Sequence, residues 1–177
     1  METLHGSTVK EQLQEIEHIK KARELSAKLK DIKIAMLTTI TEDGKSHSRP
    51  MYTFELKDDG IIWLFISKES RKLQEIRTNP NVLLNYSNPQ HDLYVTVNGK
   101  AEVSEDRNKI EELWSDRFKL WFPYGKEDPN LCLLRIDPQE AEYWDTPDLL
   151  LAQVITLVKN TMGGNPYSEG ENKKLNF

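Results

Sequence analysis

Where a run of β-forming residues gives way to a helical pattern, the chain reads Ile66-Ser67-Lys68-Glu69-Ser70-Arg71-Lys72. With Ser70 as N-cap, Arg71 and Lys72 occupy the first helical turn, the end at which the helix dipole favours negative charge. Three cations against Glu69 alone invert the usual placement. An anion from outside the chain would resolve the inversion, because first-turn N–H groups, a serine hydroxyl and two cationic side chains can converge on phosphate oxygens. A solvated basic turn uses the same residues, and charge placement alone leaves both readings open. A second segment, Ser46-His47-Ser48-Arg49-Pro50-Met51-Tyr52-Thr53-Phe54, has strand character. Two-residue periodicity puts His47, Arg49, Met51 and Thr53 on one face and Ser48, Pro50, Tyr52 and Phe54 on the other. Pro50 has no N–H for a ladder, so it marks an edge, a bulge or a place where backbone faces a ligand. Arg49 is then either a donor on a partly apolar face or half of a surface salt bridge.

Other chemistries find little support. His5, His18, His47 and His91 are too scattered to define a metal centre, although His47 shares its face with Arg49 and Met51. No Ser/His/Asp order, phosphate-binding Walker loop or Gly-x-Gly-x-x-Gly run is present. Cys132, the sole cysteine, lies in an apolar strand and reads as core filler; its solitude excludes an internal disulfide framework and a cysteine-rich zinc site. The 24 basic and 29 acidic residues leave a net charge of −5, which argues against nucleic acid or an anionic membrane as the main partner. The opening METLHGSTVKEQLQEIEHIKK is polar where a signal peptide needs an apolar run, and the longest apolar stretch, Leu149 to Val158, is too short to span a bilayer. The expectation is a cytoplasmic protein with no membrane segment.

The elements that must position these residues follow from hydrophobic period and punctuation. The 177 residues, 37% hydrophobic and 30% charged, suffice for one globular core. Residues 1–32 carry an amphipathic helix from Thr8 to about Leu29, with Thr8 and Glu11 spaced as a capping box. Strand patterns at Ile34–Ile40, Ser46–Lys57 and Ile61–Ser67, separated by Glu42-Asp43-Gly44 and Asp58-Asp59-Gly60, predict two consecutive hairpins. A short helix over Ser70–Asn79 stops at Pro80, and strands follow at Asn81–Tyr86 and Leu93–Ser104. Asp106 to Phe118 is helical in pattern; Phe122 to Asn130 is a loop; Leu131–Ile136 and Ala141–Asp145 are two further strands. A final helix over 146–162 is apolar on more than one face, which suits its own core or a second subunit equally, and residues 163–177 read as a flexible tail. Short connections between these strands favour one mainly β domain, an antiparallel barrel with flanking helices.

The motifs Arg49-Pro50-Met51, Phe65-Ile66-Ser67 leading into Ser70-Arg71-Lys72, Asn79-Pro80, Asn98-Gly99-Lys100-Ala101-Glu102 and Glu142-Tyr143-Trp144 are more telling in order than singly. In their sequence and spacing, from Lys33 to Asp145, the chain resembles the pyridoxamine 5′-phosphate oxidase-like FMN-binding split barrels, and within them the general stress protein 26 branch. The resemblance implies a six- to seven-stranded antiparallel split β-barrel of Greek-key type. It also implies that Ser70, Arg71 and Lys72 hold the FMN phosphate. Arg49 and the backbone around Pro50 and Met51 would meet the isoalloxazine ring and its polar edge, with Phe65, Ile66 and Ser67 alongside. Trp144 matches a tryptophan that reaches flavin across a dimer interface, or else it is a core aromatic at a strand end; the former implies a homodimer with flavin sites between subunits.

The chain also departs from the family's oxidases. Trp144 is followed by Asp145-Thr146-Pro147 and not by an Arg-x-His-x-Arg signature, and Phe54 stands where those oxidases place a lysine five positions after the arginine. Residues that serve vitamin B6 oxidation are thus missing. The expectation is an FMN-binding oxidoreductase of unknown substrate, linked to stress response, with no side chain named as catalytic. The alternatives are a protein that sequesters flavin without turnover and a binder of another flat anionic cofactor, such as haem, FAD or a deazaflavin.

Overall fold

Thr8 opens the first helix as its spacing requires: its hydroxyl accepts from Glu11 N–H, and the Glu11 carboxylate accepts from Thr8 N–H at 2.6 Å. A computed structural model of the chain describes residues 8–54, 56–145 and 171–177. The helix, α1 (Val9–Leu29), buries Ala22, Leu25 and Leu29 in its C-terminal half, while Val9, Leu13 and Ile16 in its N-terminal half are exposed among the described residues. Its C-terminal half is tied down by polar contacts. Glu24 accepts from the Tyr143 hydroxyl at 2.8 Å, Lys28 pairs with Asp145 at 2.6 Å, and Arg23 pairs with Asp58 at 2.7 Å.

Seven strands follow among the described residues: β1 (Ile34–Ile40), β2 (Ser46–Tyr52), β3 (Ile62–Ser67), β4 (Asn81–Asn88), β5 (Leu93–Ser104), β6 (Leu131–Asp145) and β7 (Glu171–Asn176). Two short helices, α2 (Arg71–Thr78) and α3 (Arg107–Leu113), interrupt them. All pairings are antiparallel in the order β2-β1-β4-β5-β6-β3, with β7 also on β6. The sheet curls into a split barrel. Its inner face packs Leu37, Leu64, Ile66, Leu84, Val97, Leu134 and Ile136 into one core; a second cluster gathers Phe65, Ile110, Phe118, Phe122, Leu131 and Leu133.

Several expectations change. The second hairpin does not form: β3 pairs along its length with β6, and among the described residues β2 meets β3 through one backbone bond, Phe54 N–H to Trp63 O at 3.0 Å. The two strands expected over 131–136 and 141–145 are one, β6, because a bulge carries the ladder past Pro138, with Asn98 opposite Glu140 and Gly99 opposite Pro138. The helix expected to Phe118 ends at Leu113; Trp114 and Ser115 are extended, and a 3-10 turn over Asp116–Leu120 swings Phe118 into the aromatic cluster. The flexible tail expected over 163–177 is corrected in its last part, since Glu171–Asn176 is β7, held to β6 with Leu175 buried against the core. The final helix expected over 146–162 and residues 163–170 lie outside the described residues.

At the bulge the backbones approach closely. A Cβ on Gly99 would stand 2.7 Å from Ile136 Cγ2 and 2.9 Å from the Asp137 carbonyl oxygen, so one strand must shift. Gly99→Ala is expected to cost about 2 kcal/mol, read as a lower urea midpoint at unchanged slope.

Candidate functional site

The Phe54–Trp63 bond closes one end of the seam between β2 and β3, and beyond it no backbone bond joins the two strands among the described residues. Antiparallel ladders alternate bonded and non-bonded pairs, so the backbone bonds at the strand ends locate the groups that face the opening. Thr53 N–H donates to Lys33 O, which places Arg49 opposite Leu37 in a bonded pair and Pro50 opposite Met36 in a non-bonded one. Pro50 therefore loses no ladder bond; the position of its missing N–H faces the seam. On the other side Lys68 N–H donates to Asn130 O, so by the same alternation Trp63, Phe65 and Ser67 turn their backbone polar groups toward the opening.

Two concavities occupy this opening. One, about 500 Å3, is walled by Ile34, Pro50, Met51, Tyr52, Phe65, Ile66, Ser67, Phe118, Trp121 and Phe122, with Arg49 and Lys72. The other, about 450 Å3, is walled by Ser46, His47, Ser48, Arg49, Arg71 and Lys72. They share Arg49 and Lys72. An apolar slot thus adjoins a cationic one.

The cationic wall is organised by Glu75, whose carboxylate is buried on α2. It accepts from the Thr39 hydroxyl at 2.5 Å, from Arg49 Nη2 at 2.8 Å and from His47 Nδ1 at 2.8 Å; Arg71 Nε lies 3.2 Å away. Arg49 also donates to the Thr39 hydroxyl. Burial alone would raise the Glu75 pKa; the bonds from Thr39, His47 and Arg49, with the Arg49 charge, outweigh it and hold the group at about 2. Burial, followed by the Arg49 charge, pushes the Lys72 ammonium down, and Glu75 opposes that shift. Three basic side chains, Arg49, Arg71 and Lys72, therefore surround one carboxylate, and the wall carries surplus positive charge.

The family described as pyridoxamine 5′-phosphate oxidase like matches residues 20–168. The chain belongs to this family. General stress protein 26 of Bacillus subtilis is 41% identical over 112 residues, covering 61% of this chain and 76% of that protein. A crystal structure from Jannaschia sp. CCS1, assigned to general stress protein 26, superposes with a TM-score of 0.71 at 26% identity over 88% of this chain and 97% of that one. The general stress FMN/FAD binding protein of Xanthomonas citri gives a TM-score of 0.61 at 31% identity over 71% of this chain and 89% of that one.

In this pyridoxamine 5′-phosphate oxidase-like chain, Arg49, Pro50, Met51, Phe65, Ile66, Ser67 and Lys72 line one cavity, and Arg71 joins Arg49 and Lys72 on the other. Ser70 is the N-cap residue of α2, but its hydroxyl donates back to Ser67 O at 2.7 Å and caps nothing, and it lines neither cavity. Lys68, grouped with Arg71 and Lys72 by sequence, turns away to pair with Glu105 at 2.6 Å. Trp144 also lines neither cavity; it lies opposite Tyr94 on the outer face of the sheet, 40% exposed. Cys132 is fully buried with its thiol on Ile66 O, and burial pushes that thiol up to about 11, as for an inert core group.

Glu75 escaped the sequence reading, although the Arg71-x-x-x-Glu75 spacing was a visible sign of an ion pair across one helical turn. The aromatic wall escaped too. Its signal was the density of Phe118, Trp121 and Phe122 where the helical pattern of Asp106 to Phe118 gives way to a loop.

Proposed function

We propose that the protein binds FMN in the seam between β2 and β3 and acts as a flavin-dependent oxidoreductase on a substrate still to be identified. The observation that carries this reading is the junction of an apolar slot and a cationic slot on two shared side chains, Arg49 and Lys72. A planar ring that ends in a phosphate ester needs those two environments side by side. The FMN/FAD binding named for the Xanthomonas citri relative supports a flavin as that ligand. Bound flavin supplies the redox chemistry, and the chain holds and tunes it. Arg71 and Lys72 hold the phosphate, and Ser70 forms the turn from which both project. Arg49, kept in place by Glu75 and Thr39, and the backbone around Pro50 and Met51, where the Pro50 carbonyl and the Tyr52 N–H face the seam, meet the polar edge of the ring. Phe65, Ile66 and Ser67 flank it, and Tyr52, Phe118, Trp121 and Phe122 give its faces apolar contact.

The same reading includes a cytoplasmic homodimer. Ile34, Met36, Tyr94 and Trp144 project from the outer sheet face while substantially exposed, a row of large apolar side chains suited to burial against a second copy. Trp144, remote from both cavities in its own chain, then reaches the flavin of the partner. Among the described residues no helix is long and apolar enough to cross a membrane.

The purified protein is expected to show a flavin absorption spectrum, to release FMN by mass on denaturation at about one per chain, and to sediment as a dimer. A colourless protein that takes up no added FMN ends this reading, and a released mass of FAD, a deazaflavin or haem replaces the cofactor. Anaerobic NADH or NADPH is expected to bleach the bound flavin. A flavin that neither reduces leaves a flavin-sequestering stress protein in place of a nicotinamide-linked oxidoreductase.

A further inference from the structure

His47 occupies the cationic slot in an orientation that the rest of the wall dictates. Its Nδ1 lies 2.8 Å from Glu75 Oε1, and its side chain remains one-third exposed on the cavity surface. Glu75 is ionised and can only accept, so Nδ1 carries the hydrogen and Nε2 is the ring atom left for the cavity. In the neutral ring Nε2 is a lone pair, which a phosphate oxygen avoids; in the protonated ring it is a charged donor, which a phosphate oxygen seeks. The carboxylate that fixes this orientation is itself anchored by Thr39 and Arg49, so the ring has little freedom to turn its other nitrogen outward.

We propose that His47 is a proton-linked ligand of the bound phosphate: a proton from solvent adds to Nε2 as a phosphate dianion enters the slot and leaves when the anion leaves. The inference rests on the reading that this slot takes the flavin phosphate. The charged groups around His47 are Glu75, Arg71 and Lys72 from α2 and Arg49 from its own strand; β1 presents the Thr39 hydroxyl. In the empty slot three cations already share one carboxylate, and nothing on the wall calls for a fourth positive charge. A dianion does, and Nε2 is the ring atom placed to take up a proton toward it, because Nδ1 is committed to Glu75. Affinity for the phosphorylated flavin then rises as pH falls, while affinity for unphosphorylated riboflavin does not change by this route.

Calorimetric titration of the full chain with FMN at about pH 7.5, in two phosphate-free buffers of different ionisation enthalpy, counts the protons. At that pH the free phosphate, with a second pKa of about 6, is already largely dianionic and contributes little. The expected result is a net uptake approaching one proton per FMN, none with riboflavin, and an FMN affinity that falls by up to about tenfold per pH unit through the range of the linkage. His47→Gln, which keeps a donor toward Glu75, is expected to bind FMN with no proton uptake and a flat pH profile. Absence of FMN binding to the wild type defeats the flavin reading itself. FMN binding without uptake overturns the proton linkage alone, and uptake that survives in His47→Gln assigns the proton elsewhere and overturns it as well. Should the variant fail to fold, imidazole 15N spectra of the wild type decide: one of the four histidines becomes doubly protonated on FMN addition at that pH, or none does and the proposal fails.

Discussion

Replacing Arg71 and Lys72 together by alanine is expected to weaken FMN binding by at least about a hundredfold while riboflavin binding changes by no more than about threefold. A charge-assisted hydrogen bond is worth about 1.5–3 kcal/mol, so losing two donors to one phosphate removes about 3 kcal/mol or more. The contributions are unequal. Arg71 has 74% of its side chain exposed and shares its charge with Glu75, so solvent screens it and its single substitution has the smaller effect. Lys72 is half-buried and lines both cavities, so most of the loss follows its removal. Fluorescence titration with the two flavins measures the difference, because riboflavin presents the same ring without the phosphate. Equal loss for both ligands would remove the phosphate role from these residues.

Substituting Glu75 is expected to have the largest effect on stability. Glu75→Ala leaves Arg49 and Thr39 without their acceptor and exposes the wall to repulsion among Arg49, Arg71 and Lys72. Breaking a buried ion pair from one side costs about 3–5 kcal/mol, and the partial exposure of Arg49 places this case near 3 kcal/mol. The pH dependence carries the same signature. With a folded value of about 2 against the ordinary 4.5, Glu75 contributes its stabilisation fully above about pH 4.5 and loses it as pH falls toward 2. Urea unfolding from pH 5 to 2.5 is expected to show a steeper loss for the wild type than for Glu75→Gln. Parallel acid limbs would mean that the carboxylate is not held down by these partners.

The local parts of the site were legible in the residues. Ser70 starts α2, Pro80 follows its end, and Arg71 and Lys72 stand in its first turn, each set by rules that act within a few positions. The period of two placed His47, Arg49 and Met51 together, and the structure keeps that face: His47 and Arg49 both reach Glu75. The hairpin between β2 and β3 was a reasonable inference from Asp58-Asp59-Gly60, yet the turn forms without a ladder beyond the Phe54–Trp63 bond. Turn chemistry reverses a chain; it does not say which strand edge wins the partner. Here β3 takes β6, some 66 positions away at the Ile66–Cys132 pair, and the edge it would have offered to β2 stays open.

That open edge separates the two levels of determination. By itself the sequence determined the number of strands from Ile34 to Ser104, the face shared by His47, Arg49 and Met51, the helix start with its two cations and the proline at the edge, because period, capping and backbone restriction are local. Tertiary structure alone decided that the barrel is split between β2 and β3, that Phe118, Trp121 and Phe122 wall the gap, and that Glu75 is buried where it gathers Arg49, His47 and Thr39. Those outcomes depend on which distant surfaces exclude water from one another, and periodicity reports only that a face will be buried, not against what.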